Sequence, residues 1–405
     1  MNAVDVDVLI VGAGPTGLSA ATELRRRGID RVLVVEREAE AGGIPRHSDH
    51  QGFGIRDLHR SLSGPAYARR LTETALRAGV DLRCGTTATL NEAGGIRLTS
   101  AAGLEDVATR ATLLATGARE RPRPARLIPG DRPAGILTTG QLQTWVAAGV
   151  PIGRRAVVLG AEHVSYSAVL SLRHAGVTTV AMVTDQSAGQ SVRGATSAFR
   201  LALHVPLRTR TSIVGLEGRG RLESVILRDL DTGAEERLAA DVLITSGDWI
   251  PDADLARRLG LGLDPSTRGP RADLGGGTEL PGLYAAGNLV HPVETADRCA
   301  LNGRRAAQHI AASLGQPTDS EYLVLHVTAP LSWAWPNLIS AHTLPDRLVL
   351  RTDERIRRGR VIARQDERVV GSARLHGGVP NQHSWVDGTL LANAAPGVAV
   401  TLELG

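Results

Sequence analysis

Ten residues near the start of the chain, Val8-Leu9-Ile10-Val11-Gly12-Ala13-Gly14-Pro15-Thr16-Gly17, constrain the fold more than any other stretch. An apolar run ends at a glycine-rich turn, and helix-forming residues follow as far as Arg27. The pattern predicts a strand, a tight turn and a helix, the layout that a dinucleotide pyrophosphate requires. Gly12 permits the turn, Gly14 lets the backbone approach the phosphates, and Gly17 lets helix and strand pack closely. The free N–H groups at the helix start face the anion. Ala21 and Gly28 continue the small-residue spacing, and Arg31–Val35 forms a second apolar strand ending at Glu36. That carboxylate sits where an adenosine ribose can donate hydrogen bonds to it.

The same arrangement returns further on. Arg155–Leu159 is an apolar strand, followed by Gly160-Ala161-Glu162-His163-Val164-Ser165, a helix to His174, Gly176 and the strand Val177–Val183. The spacing from Gly160 to Gly176 matches that from Gly12 to Gly28, which predicts an internal duplication of the dinucleotide fold. Between the two units, Pro65–Ala78 reads as a helix, Ala111–Ala118 closes on Ala115-Thr116-Gly117, and the Pro- and Arg-rich run Arg119–Pro133 reads as a crossing linker. Leu222–Leu230 and Glu235–Thr245 read as a hairpin and a return strand. Thr278–Asn288 is a strand ending in a polar turn, and a helix follows from about Asp297 to Leu314, with the Asp297 carboxylate suiting the helix dipole. From Gln316 onward, short alternating runs such as Arg347–Arg351, Arg360–Arg364, Val369–Leu375 and Val398–Leu404 predict a β-rich tail.

Length predicts two or three domains, since 405 residues can bury a large core. All 46 basic residues are arginine against 42 acidic ones, so the net charge is only +4. The clusters Arg25–Arg27 and Arg355–Arg360 read as solvated faces, not as a nucleic-acid surface. With no lysine, Schiff-base chemistry and a nucleotide-triphosphate loop are excluded. Cys84 and Cys299 lie far apart with no CxxC, so neither a disulfide framework nor a metal centre is expected. No apolar run has membrane-spanning length, and the first strand begins too early to leave space for a signal peptide; a cytoplasmic location is the expectation.

Gly12–Gly17 with Glu36, Ala115-Thr116-Gly117, the second half-repeat and Thr278…Gly287-Asn288 together resemble the two-dinucleotide-domain flavoproteins of the glutathione and thioredoxin reductase type. Within that superfamily, Gly42–His47 and the Gly160–Ser165 turn resemble FAD-containing subunits of amine and imino-acid dehydrogenases, such as heteromeric proline dehydrogenases, opine oxidases and hydrogen cyanide synthase. The resemblance covers roughly residues 5–315. It implies an α/β chain: a Rossmann-like FAD-binding domain over 1–122 and 249–315, split by an inserted NAD(P)-like domain over 123–248, and a small β-rich C-terminal domain over 316–405. It also implies that Gly12, Gly14, Pro15, Thr16 and Gly17 hold the FAD pyrophosphate and that Glu36 and Arg37 meet the adenosine end. Gly43, Thr116 and Gly117 would line the dinucleotide, and Gly287 and Asn288 would meet the ribityl chain. Asn288 stands where the family usually has aspartate; its oxygen still accepts a hydroxyl. The helix near Asp297 would point its N-terminus at the flavin pyrimidine.

Two departures from the family pattern shape the functional expectation. Where disulfide reductases carry a redox cysteine pair, this chain has Pro45-Arg46-His47, and its second nucleotide domain has no cysteine, which excludes disulfide reduction through a protein dithiol. Glu162 replaces the glycine that lies against a pyrophosphate and Ser165 replaces the third, so the NAD(P)H site is disfavoured while its fold is kept. His47 and Arg46 are the catalytic candidates, for substrate orientation or proton handling; bonding to FAD phosphate or backbone is the equal alternative. A structural role is the first reading for His291, a helix start for His163 and a buried thiol for Cys299. Trp333 and Trp335 share a strand face, in the tail's core or on a partner surface.

The expected function is an FAD-dependent oxidoreductase, a dehydrogenase or electron-transfer subunit that oxidises an amine or amino acid by hydride transfer to flavin N5, after which the imine hydrolyses. Two alternatives stay open: an NAD(P)H-dependent flavin reductase of a small electron acceptor, and a non-catalytic flavoprotein scaffold for a catalytic partner. The expected partners are the small-molecule substrate and a second dehydrogenase subunit or a second copy of the chain.

Overall fold

The computed structural model describes residues 2–190, 204–292, 294–314, 321–340 and 343–405. They fall into two compact units. Unit 1 contains 1–46, 52–118 and 251–405; unit 2 contains 47–51 and 119–250.

Unit 1 is built around the strand Asn2–Val11, whose Val8, Leu9 and Ile10 have no solvent exposure. A strand apolar on both faces must be covered on both, which is the signature of a central parallel strand. It pairs in parallel with Val32–Val35 and Gly103–Leu114, with Ile10 level with Val34 and Leu113. Asp81–Arg83 extends one edge and Leu283–Ala285 pairs with the far end of Gly103–Leu114. The strands Thr87–Leu90 and Ile96–Ser100 join antiparallel beside it. One face carries the helix Pro15–Arg26, with Pro15 in the first turn, where its missing N–H costs nothing. The last helix, Ala296–Ser313, lies against it. Gly303 makes that approach possible, since a Cβ there would strike the Thr16 carbonyl.

The tail forms a five-stranded sheet, ordered Leu338–Ser340, Tyr322–Val327, Val400–Leu404, Gly359–Gln365 and Arg368–Leu375. A three-stranded sheet, Leu331–Trp335, Arg347–Thr352 and Ser384–Asp387, completes it. The domain boundary expected at 315–316 lies outside the described residues. The tryptophan expectation needs correction. Trp333 and Trp335 are buried, but not in the core of the tail. They pack with Val6, Leu9 and Leu33 on the second face of the first sheet, while Leu331 and Ala334 of the same strand join the tail's own core. A register shift between Leu331 and Trp333 explains the split, because a bulge reverses the alternation of faces.

Unit 2 has a five-stranded parallel sheet, ordered Ile136–Thr138, Val242–Thr245, Arg155–Leu159, Thr178–Val183 and Leu207–Arg208. The helices Thr139–Ala147 and His163–His174 are its covering helices at the two turns. A three-stranded antiparallel sheet, Thr211–Glu217, Ser224–Asp229 and Glu235–Ala239, includes the expected hairpin. Strand, turn, helix and strand therefore recur over Arg155–Val183 as the glycine spacing predicts.

Candidate functional site

The first turn is an open seat. Gly12 has φ +108°, and a Cβ there would lie 2.5 Å from the Ala115 carbonyl oxygen, so only glycine lets the turn press against the neighbouring strand. Gly14 differs: nothing lies within 4 Å of where its Cβ would be. Its backbone faces free space at the start of a helix, with Pro15 in the first turn and Thr16 buried beneath. A Cβ on Gly17 would collide with the Gly12 carbonyl, and one on Gly287 with the Thr16 hydroxyl. Gly43 approaches Gly14 closely, a Cβ there falling 3.0 Å from the Gly14 Cα. Gly117, like Gly14, faces open space.

Glu36 stands at the mouth of this turn, its Oε2 accepting from the Ala13 N–H at 2.9 Å and its Oε1 from Glu38 N–H at 3.0 Å. Arg37 pairs with Asp252 at 3.1 Å, and the Thr116 hydroxyl donates to the Asp252 carbonyl at 2.7 Å. Arg46 is ion-paired with Glu38 and Glu40, and its methylenes lie beside Gly42, so its charge is neutralised within its own loop. His47 ends the 3-10 turn Ile44–His47. An open backbone seat at a helix start, a carboxylate fixed beside the turn and a second open glycine at 117 fit an adenine dinucleotide.

Asn288 is tied more firmly than its sequence position suggests. Its Nδ2 donates to the Glu294 carbonyl at 3.2 Å and its Oδ1 accepts from the Glu294 N–H at 2.7 Å. A carboxylate cannot donate, so the amide closes this loop in a way that the family's usual aspartate would not. One N–H and one lone pair remain for a ligand. Glu294 itself is the buried centre of a cluster that sequence reading missed. Its carboxylate takes a hydrogen bond from His383 and lies 3.5 Å from His291 Nδ1, 3.5 Å from Arg298 and 3.6 Å from Arg351. Burial alone would raise its pKa; His291 and His383 overcome this and hold it well below the ordinary carboxylate range. His291 packs on Trp333 and Trp335, with ring centroids 5.3 and 4.6 Å away. Cys299 is buried, and its thiol is pushed up to about 12, first by burial and then by the Glu294 charge. A pattern of His and Arg spaced over ninety residues gave no local signal of this cluster.

The second turn, in unit 2, has the same backbone and a filled seat. A Cβ on Gly160 (φ +135°) would lie 2.5 Å from Ser165 Oγ and 2.8 Å from Glu162 Oε2. Glu162 is 5% exposed, and its carboxylate folds back into the turn. Oε2 accepts from the Ala161 N–H at 3.0 Å, Oε1 accepts from the Ser246 hydroxyl, and Ser246 in turn bonds Ser165 at 3.1 Å. The neighbouring helix is occupied likewise: Glu120 Oε2 accepts from the Gly140 N–H at 2.7 Å. Glu120 is buried, its Oε1 has no hydrogen-bond partner, and its pKa is raised to about 7 by burial, with a smaller push from Glu162. One helix start therefore holds a carboxylate of the chain itself, and the turn leading into the other is filled by Glu162.

Among the described residues no group of three or more His, Cys, Asp or Glu is placed to hold a metal ion, and no helix is long and apolar enough to cross a membrane.

The pyridine nucleotide-disulphide oxidoreductase profile matches residues 6–312. The chain is 28% identical over 364 residues to an opine oxidase subunit of Rhizobium meliloti (strain 1021), covering 80% of this chain and 74% of that one. It is 30% identical over 267 residues to the sarcosine oxidase alpha subunit of Corynebacterium sp. (strain P-1), covering 61% of this chain but only 27% of that much longer protein. Among solved structures it resembles thioredoxin reductase of T. acidophilum (TM-score 0.64, 20% identity, 76% of this chain and 98% of that one). It also resembles L-proline dehydrogenase from P. horikoshii (TM-score 0.57, 17% identity, 79% and 57%). At those identities the structural likeness speaks for the fold alone.

Proposed function

Because the chain belongs to the pyridine nucleotide-disulphide oxidoreductase family, we propose that it is an FAD-dependent oxidoreductase that oxidises an amine or amino acid. The observation that carries this reading is the contrast between an open seat at Gly14 and a seat filled by Glu162. NADH or NADPH would have to displace a buried carboxylate with its own pyrophosphate, like charge against like. A small amine makes no such demand. The relatives named as oxidases of opine and of sarcosine point the same way. Disulfide reduction fits poorly: both cysteines are free and unpaired, and the Cys299 thiol is buried and hard to ionise.

In this reading Gly12, Gly14, Pro15, Thr16 and Gly17 hold the FAD pyrophosphate, with Glu36 and Arg37 at the adenosine end. Gly43, Thr116 and Gly117 flank the dinucleotide, and Gly287 and Asn288 meet the ribityl chain. Bound FAD supplies the two-electron acceptor. With FAD bound, the substrate would lose hydride from the carbon next to nitrogen, and the resulting imine would hydrolyse. His47 takes the proton that leaves the substrate ammonium, as a neutral imidazole can near pH 7. Arg46 serves by fixing the loop through Glu38 and Glu40.

The test is anaerobic mixing of the purified chain with a panel of amines and amino acids and, separately, with NADH and NADPH. Bleaching of the flavin by a panel member, with none by the nucleotides over many seconds, is expected. Rapid bleaching by either nucleotide would reject the reading. The relatives' names as subunits favour a second reading, a flavoprotein that acts only beside a partner; bleaching that requires an added partner chain would select it.

A further inference from the structure

Unit 2 has lost its open phosphate seat yet keeps two helices in place, and those helices carry a second polar network. The segment His47–Gln51 leaves unit 1 for five residues and belongs to unit 2. Within it Ser48, only 4% exposed, donates its hydroxyl to Gln143 Oε1 at 2.9 Å. Gln143, also 4% exposed, donates its amide to Ser167 Oγ at 2.8 Å. Ser167 keeps its hydroxyl proton and one further lone pair, and its Oγ lies 2.7 Å from His50 Nε2. His50 Nδ1 lies 2.9 Å from the Gln51 carbonyl, an oxygen that only accepts, so Nδ1 carries the ring proton and Nε2 accepts from Ser167. The hydrogen bonds therefore run in one direction from Ser48 through Gln143 and Ser167 to His50 and Gln51. Each of the four side chains has a partner.

Gln143 and Ser167 occupy equivalent places. Each is the fifth residue of its helix, four beyond Thr139 and four beyond His163. One helical turn therefore separates Gln143 from a first turn at which Glu120 bonds the backbone, and Ser167 from a helix start preceded by the Glu162-filled turn. A loop residue held through a partly buried network in which every side chain has a partner is confined more tightly than one held by water alone. The network grips the chain at Ser48, immediately after His47, and again at His50.

We propose that unit 2 holds the His47 loop in place of a nucleotide, with Gln143 and Ser167 as positioning residues for His47. This rests on the reading of His47 as the proton acceptor. No bond is made or broken by these two residues; their part is to fix where the imidazole sits.

The experiment compares wild type, Ser167→Ala, Gln143→Leu and the hydroxyl-retaining Ser167→Thr, all purified as flavoproteins with flavin content measured first. Hydrogen exchange of the peptide spanning 47–51 reports the anchoring directly, and it does so without any substrate. Each disruptive variant removes two hydrogen bonds of the network, so exchange there should speed by roughly five- to a hundredfold in Ser167→Ala and Gln143→Leu, with Ser167→Thr close to wild type. Flavin bleaching by the best amine should fall in kcat with KM nearly unchanged, and Ser167→Thr should restore it. Unchanged exchange in both disruptive variants overturns the anchoring. Faster exchange with unaltered kcat overturns the positioning role. If no amine bleaches even the wild type, the functional reading fails, and the exchange result still decides the anchoring by itself.

Discussion

The two dinucleotide turns of this chain share a backbone and differ in what stands in front of it. At the first, Gly14 leaves the helix start bare; at the second, Glu162 turns back and bonds the Ala161 N–H and the Ser246 hydroxyl. A binding site can thus be withdrawn without unfolding anything, by a side chain that supplies the same kind of charge its ligand would have brought. The carboxylate is satisfied inside the turn by the Ala161 N–H and the Ser246 hydroxyl, and strand, turn and helix are all present around it.

The largest expected effect comes from closing the open turn. Gly14→Val adds a side chain where the protein has no neighbouring atoms and the backbone is already compatible, at φ −80°. The fold should survive, by circular dichroism, while FAD content after purification falls nearly to zero. A flavin-replete variant would break the comparison. Opening the closed turn is the converse. One like-charge contact at ~4 Å costs about 4 kcal/mol at an effective dielectric near 20, roughly a thousandfold in affinity. Glu162→Gly should therefore tighten NADH or NADPH binding by up to about that factor, measured by titration against wild type, which is expected to bind neither nucleotide tightly. A variant that binds no better than wild type would show that something other than this carboxylate closes the seat.

A smaller effect concerns pH. Folded Glu120 keeps its proton up to about pH 7 against 4.5 for an ordinary glutamate, so the folded state binds the extra proton between those values. Its contribution is fully present below pH 4.5 and is lost as pH rises through about 7, by up to about 3 kcal/mol. Denaturation midpoints of unit 2 should fall between about pH 5 and about pH 8, and Glu120→Gln should flatten that slope; parallel slopes would discount the buried proton. The smallest effect is expected at the thiols. Replacing Cys84 and Cys299 by serine together should leave flavin content and amine-driven bleaching within about twofold, since neither thiol is placed or ionised to act. A large loss of rate would return disulfide chemistry to consideration.

Both strand–turn–helix units were legible in the sequence because their signals are local: an apolar run, glycines at fixed offsets, a helix after them. Glu162 was legible as an intruder but its destination was not, since Ser246 lies at the end of a strand more than eighty residues on. Glu120 fell in a run that reads as a Pro- and Arg-rich linker, and only the packing of Gly140 over it makes it a buried acid. Asn288 read as a ribityl contact whose oxygen still accepts a hydroxyl; that its amide also ties to the Glu294 backbone six residues later left no trace in the sequence. Arg46 and His47 are adjacent in sequence yet part company, the one paired inside its own loop and the other on the segment that belongs to unit 2. Side chains that meet across long separations leave no period to count.

The bulged strand Leu331–Trp335 has a further consequence for where this chain can be divided. Its alternate residues serve two cores at once, Leu331 and Ala334 in one, Trp333 and Trp335 in the other. Losing a buried tryptophan costs about 3–5 kcal/mol, and two such losses approach the whole stability of an ordinary domain, about 5–15 kcal/mol. A chain stopped before this strand would expose the sheet face beneath Val6, Leu9 and Leu33. The strand Leu331–Trp335 is therefore no detachable piece: it cannot be trimmed or exchanged without rebuilding the sheet face it covers.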